Sequence, residues 1–377
     1  MPAPSESYHV DAYKVEGKID YDQFAKQYGL KPIDEELRKR LEKYTGPMHF
    51  LLRRNIIFAH RELDWILSEY EKGNPFYLYT GRGTSKGMHL GHLMPFMFAK
   101  WLQDRFGVEI YIQIPDEEKY LAKKDSDMTM EEIHNMAIDN VLDIIALGFK
   151  PTKTKIFFDT NYANTMYKNA VKVAKHITFS TVKDAFGFTN ESNIGLIFYT
   201  AMQAVPAFLK SVEVGHNVPC LIPLAIDQDV HFRVARDVLG KLGYYKPAII
   251  YTKFLPGLDG TSKMSSSEAN NTIYLDDTPE AVMKKINRAL TGQQATAELQ
   301  KKFGGDPDKC MVCQYYRYFF EPNDKKLEAI FKAERNGTML AGEHKQALAA
   351  TINKFLRDHQ RRKERAREKL SKFIVSD

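Results

Sequence analysis

A strand that ends in a glycine-rich turn and feeds directly into a helix constrains this chain more than any other feature. Phe76-Tyr77-Leu78-Tyr79-Thr80 reads as a short buried strand, set off by Gly73-Asn74-Pro75 before it. Gly81 to Gly87 form the turn, and an apolar helical run follows from about Leu90 to Phe106. The alternation then continues. Glu109 to Ile114 is a second strand, Thr129 with Glu132 makes a capping box for a helix that stops at Gly148, and Lys155 to Phe158 is a third strand. Strand, helix, strand, helix, strand predicts a right-handed parallel sheet.

Residues 161–214 carry helical spacing, break this rhythm and read as an insertion. The alternation returns with a strand at Pro219 to Ala225, a helix at Val230 to Leu242 and a strand at Ala248 to Thr252. From Thr278 the pattern is helical to the end. At the other end, Asp34 to Tyr44 and Leu51 to Tyr70 have helical spacing, so residues 1–73 read as an N-terminal helical segment. The prediction is an α/β protein. A Rossmann-like parallel sheet over 74–277 is split by a helical insertion, and an α-helical domain occupies 278–377.

Composition narrows the class. No run approaches the eighteen or so apolar residues of a membrane span, and Met1 to Tyr8 has no basic stretch followed by an apolar one. Three cysteines, Cys220, Cys310 and Cys313, argue against a secreted disulfide scaffold and for a reducing cytoplasm. Cys310-x-x-Cys313 reads as structural thiols. Metal binding and redox chemistry stay open, but a zinc site wants a further pair of ligands and His344 stands alone downstream. The net charge of +6 permits an anionic partner without requiring one. Arg357 to Lys369 concentrates that charge, with Arg361, Arg362, Lys363 and Arg365 at its centre. Two readings fit: a solvated helix laced with ion pairs, or a platform for nucleic-acid phosphates.

Two loops carry chemistry. The first runs from Thr80 to His92 between the first strand and the first helix, where an open parallel sheet binds ligands. Gly81, Gly83 and Gly91 let a phosphate approach the backbone, and the helix start supplies free N–H groups. His89 and His92 share one face of the first turn and offer donors to phosphate oxygens. The loop is not a Walker A motif, because Lys86 stands where the second glycine belongs. The second loop is Thr261-Ser262-Lys263-Met264-Ser265-Ser266-Ser267, after the last strand. One mobile lysine and several hydroxyls suit a leaving pyrophosphate.

Together the loops resemble the class I aminoacyl-tRNA synthetases. His89-Leu90-Gly91-His92 is similar to their HIGH motif. Lys263-Met264-Ser265-Ser266-Ser267 is similar to KMSKS, with Ser266 in place of its second lysine. Phe76 to Gly83, Met88 to Phe96, Lys100 to Asp104, Asp116 to Tyr120, Phe186 to Phe188, Ala225 to Asp229 and Phe303 to Gly305 resemble the tryptophanyl enzymes of eukaryotic and archaeal type. The resemblance runs from about residue 45 to the C-terminus.

It implies activation of L-tryptophan by ATP and transfer to tRNA(Trp), in a homodimer whose interface is the 161–214 insertion and whose anticodon domain is 278–377. It implies tryptophan contacts from Tyr79 and Gln113 to the indole N–H, and from Glu118, Gln203 and Gln228 to the ammonium. ATP contacts fall to Thr80, Gly81, Gly83, His89, Gly91, His92, Gln228, Lys263, Met264, Ser265 and Ser267. His89, His92 and Lys263 are the catalytic residues, and tRNA phosphates are assigned to Arg361, Arg362, Lys363 and Arg365. Magnesium is expected to enter with ATP, with no metal ligands from the protein and no permanently bound cofactor. Rival readings are a tyrosyl enzyme, an H-x-G-H nucleotidyltransferase that makes a cofactor, and a non-enzymatic RNA-binding relative. The helical C-terminal domain and the Lys263 loop speak against the second, and the intact histidines and lysine against the third.

Overall fold

The computed structural model describes residues 8–10, 15–122 and 128–377, so most of the Met1 to Tyr8 segment lies outside the described residues. The main sheet contains, in chain order, β1 (Lys31–Pro32), β2 (Ile57–Arg61), β3 (Tyr77–Gly81), β4 (Ile110–Ile114), β5 (Thr154–Phe158), β6 (Cys220–Ala225) and β7 (Ala248–Thr252). Their spatial order is β1-β2-β7-β6-β3-β4-β5. The five strands from β7 to β5 are parallel, and β1 and β2 run antiparallel at one edge. The chain moves outward from β3 through β4 to β5. It then crosses back through the helices of residues 163–214 to place β6 on the other side of β3. That reversal makes the C-terminal end of β3 the topological switch point, where a parallel sheet opens a ligand crevice.

Side chains alternate faces along each strand. Leu78, Ile110, Ile112 and Ile114 enter one hydrophobic core, while Tyr77, Tyr79 and Tyr111 enter the other. In the parallel register Tyr79 lies opposite Tyr111 and Gly81 opposite Gln113, so Tyr79 and Gln113 share a face. Buried phenols need partners. Tyr77 donates to the Pro206 carbonyl at 2.8 Å, and Tyr111 to Glu213 at 2.5 Å.

The switch-point helix α1 (Leu90–Phe106) starts at His89 and ends on Gly107 at φ 65°. Helix α2 (Met130–Ile145) carries the expected Thr129/Glu132 capping box. The insertion is helical, with α3 at Ala163–Ala174 and further helices at Phe179–Phe186, Ile194–Met202 and Leu209–Val214. Helix α4 (Asp229–Lys241) links β6 to β7. Beyond Thr278 the longest helices are α5 (Asp324–Arg335) and α6 (Ala341–Arg367).

Two expectations need correcting. Leu51 to Tyr70 is not one helical stretch: short helices at Phe50–Arg53 and Leu63–Glu71 flank β2, which pairs with β7. Ile57 to His60 are all buried, and a segment buried on both faces shows neither the helical nor the strand period. The helical reading of 1–73 therefore hid strands that extend the sheet. Nor is the chain helical to its end. Phe373 accepts a backbone bond from Ile156 and Val375 donates one back, so the tail lies along β5 and covers that sheet edge.

One glycine match has a packing reason. A Cβ on Gly304 would lie 1.6 Å from the Arg335 carbonyl oxygen, and its φ is +69°. No side chain fits that approach without moving α5.

Candidate active site

A cavity of about 310 Å3 opens at the end of β3. Thr80 and Gly81 bring the end of β3 to it, Gln113 the end of β4, and Asp227 and Gln228 the turn after β6. His89, Gly91 and His92 come from the start of α1, and Lys263 and Met264 from the loop after β7. Gly83, Glu118 and Gln203 complete the set, so most of the expected residues converge from six separate segments. A Cβ on Gly83 would come within 3.1 Å of the Glu118 carboxylate, so a side chain there would push on that carboxylate.

The Gln113 end of the cavity is a network of oriented polar groups. Gln113 donates through Nε2 to Asp159 at 2.7 Å, and its Oε1 accepts the Tyr79 hydroxyl at 2.5 Å. Asp159 thereby decides which way the amide faces. Gln203 Nε2 donates to the Tyr79 oxygen at 2.9 Å, while its own oxygen accepts from Tyr199. Tyr79 is fully buried and sits behind the cavity wall that Gln113 forms. An acceptor lone pair therefore remains on Gln113 Oε1 and on Gln203 Oε1.

Buried carboxyls surround this network. Burial pushes Asp159 up to about 7 despite the Gln113 bond, and holds the neighbouring Glu117 well above the ordinary carboxylate range, with repulsion from Asp159 adding to it. Burial also pushes the half-buried Glu118 up to about 7, against the pull of Arg82.

The opposite end is built from the two loops held side by side. Leu90 donates its N–H to the Ile273 carbonyl at 3.1 Å and Leu275 to Met88 at 2.9 Å, so the segment after the lysine loop pairs with the start of α1. The His89 and His92 rings stack with centroids 3.3 Å apart. Burial first, then Arg82 and Lys263, drive both imidazoles well below their ordinary value, so both are neutral near pH 7. The His89 backbone N–H donates to His92 Nδ1 at 3.2 Å, and Arg82 lies at 3.2 Å from the same nitrogen. The proton of His92 is therefore on Nε2, where it is a neutral donor. Lys263 Nζ lies 2.6 Å from Asp227 and 4.8 Å from the centre of the Phe254 ring.

Some sequence assignments are not brought to the cavity. Ser265 and Ser267 bond to each other at 2.9 Å and do not line its wall. The four basic residues of α6 divide. Lys363 is bound to Asp139 at 2.8 Å and Asp143 at 2.9 Å on α2, and Arg362 donates to the Ala146 carbonyl at 2.9 Å. Arg361 pairs with Asp358, and Arg361, Arg362 and Arg365 are all exposed. Other site residues escaped sequence reasoning: Arg82, Asp159, Tyr199 and Asp227. Arg82 and Asp227 lay inside stretches already singled out, and Asp159 had the signal of an acid directly after a parallel strand.

The model of the class I tRNA synthetases for tryptophan and tyrosine matches residues 71–357. The chain belongs to this family. The tryptophan–tRNA ligase of Saccharolobus solfataricus is 46% identical over 370 residues, which span 98% of this chain and 95% of that one. Among solved structures, a tryptophanyl-tRNA synthetase from Encephalitozoon cuniculi, bound to tryptophan, has a TM-score of 0.86 and 37% identity, covering 95% of this chain and 98% of the other. That of Plasmodium falciparum also reaches a TM-score of 0.86, at 39% identity, covering 92% and 94%. The fold is that of a class I synthetase. The H-x-G-H element, the lysine loop and the switch-point cavity are thus one assembly, which removes the nucleotidyltransferase rival.

Proposed function

We propose that this enzyme activates L-tryptophan with ATP and transfers the tryptophanyl group to tRNA(Trp). One observation carries the reading: the cavity has an acceptor-lined end and a cationic, donor-lined end within reach of each other. The names of the relatives support it. Gln113 Oε1 accepts the indole N–H, with Tyr79 behind it. Glu118, Gln203 and Gln228 accept from the ammonium. Thr80, Gly81, Gly83 and Gly91 line the nucleotide, and His89, His92 and Lys263 meet its phosphates, with Met264 holding the loop in place. Ser265 and Ser267 join only if the loop moves on binding.

The tryptophan carboxylate attacks the α-phosphorus of ATP in line, and the bond to the bridging oxygen breaks to release pyrophosphate. The terminal ribose hydroxyl of the tRNA then attacks the carbonyl of the mixed anhydride, with AMP as the leaving group. No protein nucleophile is needed. Catalysis rests on positioning and on charge stabilisation by neutral imidazole N–H groups and Lys263. Magnesium enters with ATP as part of the substrate. Amino-acid-dependent pyrophosphate exchange across all twenty amino acids tests the assignment.

A homodimer is part of the proposal. Tyr167 and Val171 on one face of α3, with Phe179 and Ile194, leave large apolar side chains exposed on the insertion, Ile194 at 85%. Sedimentation equilibrium showing a monomer at micromolar concentration would sink this part.

Glu118 predicts a pH dependence. The group that accepts the ammonium is the carboxylate, and protonation below about 7 removes it. The kcat/KM for tryptophan reports the free enzyme's groups, so it should fall roughly tenfold per pH unit below that value. Glu118→Gln should lower kcat/KM at pH 8 and leave a shallower inflection, set by Asp159, which burial also pushes up to about 7. A profile flat from pH 8 to 5.5 in the wild type would remove Glu118 from the site.

The division of α6 refines the tRNA reading to Arg361 and Arg365. Replacing both with Gln should raise KM for tRNA and flatten its salt dependence by up to roughly one unit of slope per lost phosphate contact. Pyrophosphate exchange should stay near normal. Lys363→Ala should instead lower thermal stability, because it strips the ammonium from Oδ2 of the buried Asp143 and leaves that carboxylate with His359 alone. Unchanged tRNA affinity and slope in the double variant would return this helix to an ion-paired strut.

A further inference from the structure

The C-terminal region assembles a cluster that adenylate chemistry does not use. Cys310 and Cys313 flank the start of the short helix Met311–Tyr315, Glu334 lies in the last turn of α5, and His344 lies in the first turn of α6. One ligand-capable atom from each of the four side chains lies within 4.8 Å of all the others. None of the four is more than 2% exposed.

The polar atoms here are only partly satisfied. Glu334 Oε2 accepts from Gln293 Nε2 at 2.8 Å and lies 3.1 Å from His344 Nδ1. Glu334 Oε1 and His344 Nε2 have no hydrogen-bond partner. A buried carboxylate oxygen and imidazole nitrogen left in that state are costly. His344 Nδ1 and Glu334 Oε2 lie 3.1 Å apart, close to the edge of a metal-centred tetrahedron, so the two can share one ion with the cysteine sulfurs.

We propose that Cys310, Cys313, Glu334 and His344 form a structural zinc site that joins three helices of the C-terminal region. The C-x-x-C spacing supplies the first pair, and folding supplies the second from residues 21 and 31 positions beyond Cys313. Two sulfurs, one nitrogen and one oxygen form a borderline-soft, four-donor set that suits Zn2+ better than the hard cations. With metal–ligand bonds of about 2.0–2.3 Å, the edges of the tetrahedron are about 3.3–3.8 Å, so a small inward rotation of the side chains closes the cluster on the ion. Four protein ligands leave no open position, which makes the site structural.

The rival use of C-x-x-C, thiol–disulfide exchange, needs a sulfur that a partner can reach. Both cysteines are at 0% exposure, and exchange chemistry has no use for the convergence of Glu334. The site also braces the catalytic half. Tyr315 donates to the Pro256 carbonyl at 3.1 Å, Met311 donates its N–H to Leu290 at 2.9 Å and Leu290 donates its own to Leu258 at 2.8 Å, ahead of the Lys263 loop.

The test uses the full chain, purified without chelator, with its metal content measured by elemental mass spectrometry. About one zinc per chain is expected, falling below about 0.2 in Cys313→Ser and in His344→Gln. Chelator-stripped wild type should take up Co2+ with sulfur-to-cobalt charge-transfer absorption and tetrahedral d–d bands, and Zn2+ should raise its Tm. That arm stands even if the variants fail to fold. The proposal is overturned if the wild type holds less than about 0.1 equivalent of zinc and the reduced protein binds neither Zn2+ nor Co2+ at micromolar concentration. A Cys310–Cys313 disulfide in protein purified without reductant would overturn it equally.

Discussion

Lys263→Ala should slow tryptophan-dependent pyrophosphate exchange by on the order of 10²–10³, the usual cost of losing one preorganised charge or donor at a developing oxyanion. In the free enzyme the ammonium is neutralised by Asp227 at 2.6 Å and packed on Phe254, at the edge of the cavity that His89 and His92 also line. The outer phosphates of ATP compete with Asp227 for it, and their negative charge grows as pyrophosphate leaves. The loss should therefore appear in kcat, with KM for tryptophan nearly unchanged, because Gln113, Glu118 and Gln203 are untouched. Ser266 stands where the KMSKS motif has its second lysine, so the loop itself holds no second charge to replace the lost one. Lys263→Arg should recover part of the rate. Wild-type exchange in Lys263→Ala would reduce the loop to a solvated turn.

Tyrosine should support exchange at least about a hundredfold more slowly than tryptophan. An indole N–H only donates, and Gln113 Oε1 has a free lone pair for it. A phenol also presents acceptor lone pairs. No hydroxyl is free for it, since the Tyr79 O–H binds Gln113, and one N–H of Gln113 and one of Gln203 are already spent on Asp159 and Tyr79. Leaving the phenol oxygen without a donor costs about 1–3 kcal/mol, and the smaller ring leaves unfilled volume that adds to it. Equal or faster exchange with tyrosine would overturn the tryptophan assignment.

Much of the catalytic core was legible because its signals are local. Leu90 to Phe106 and Ala248 to Thr252 fall where periodicity placed them, and the capping box at Thr129 needs only four consecutive residues. The two loops were legible because closely spaced glycines, histidines and a lysine carry a chemical meaning without three-dimensional context. What failed was non-local. Strand β2 exists because β7 offers it a partner, and nothing within Ile57 to Arg61 states that. Lys363 reads as free charge in sequence, yet two aspartates more than two hundred residues away hold it.

The amino-acid sequence by itself determined the strand–turn–helix alternation, and with it the parallel sheet, the switch-point crevice and the residue types that face phosphate. Those follow from spacing along the chain, which folding preserves. Tertiary structure alone decided which polar groups spend their hydrogen bonds on one another. It turned the Gln113 amide through Asp159, put the His92 proton on Nε2, tied Lys263 to Asp227, and brought Glu334 and His344 to the cysteine pair. The physical reason is that burial strips water from each of these groups, and an unhydrated donor or acceptor must find its partner wherever the fold has placed one.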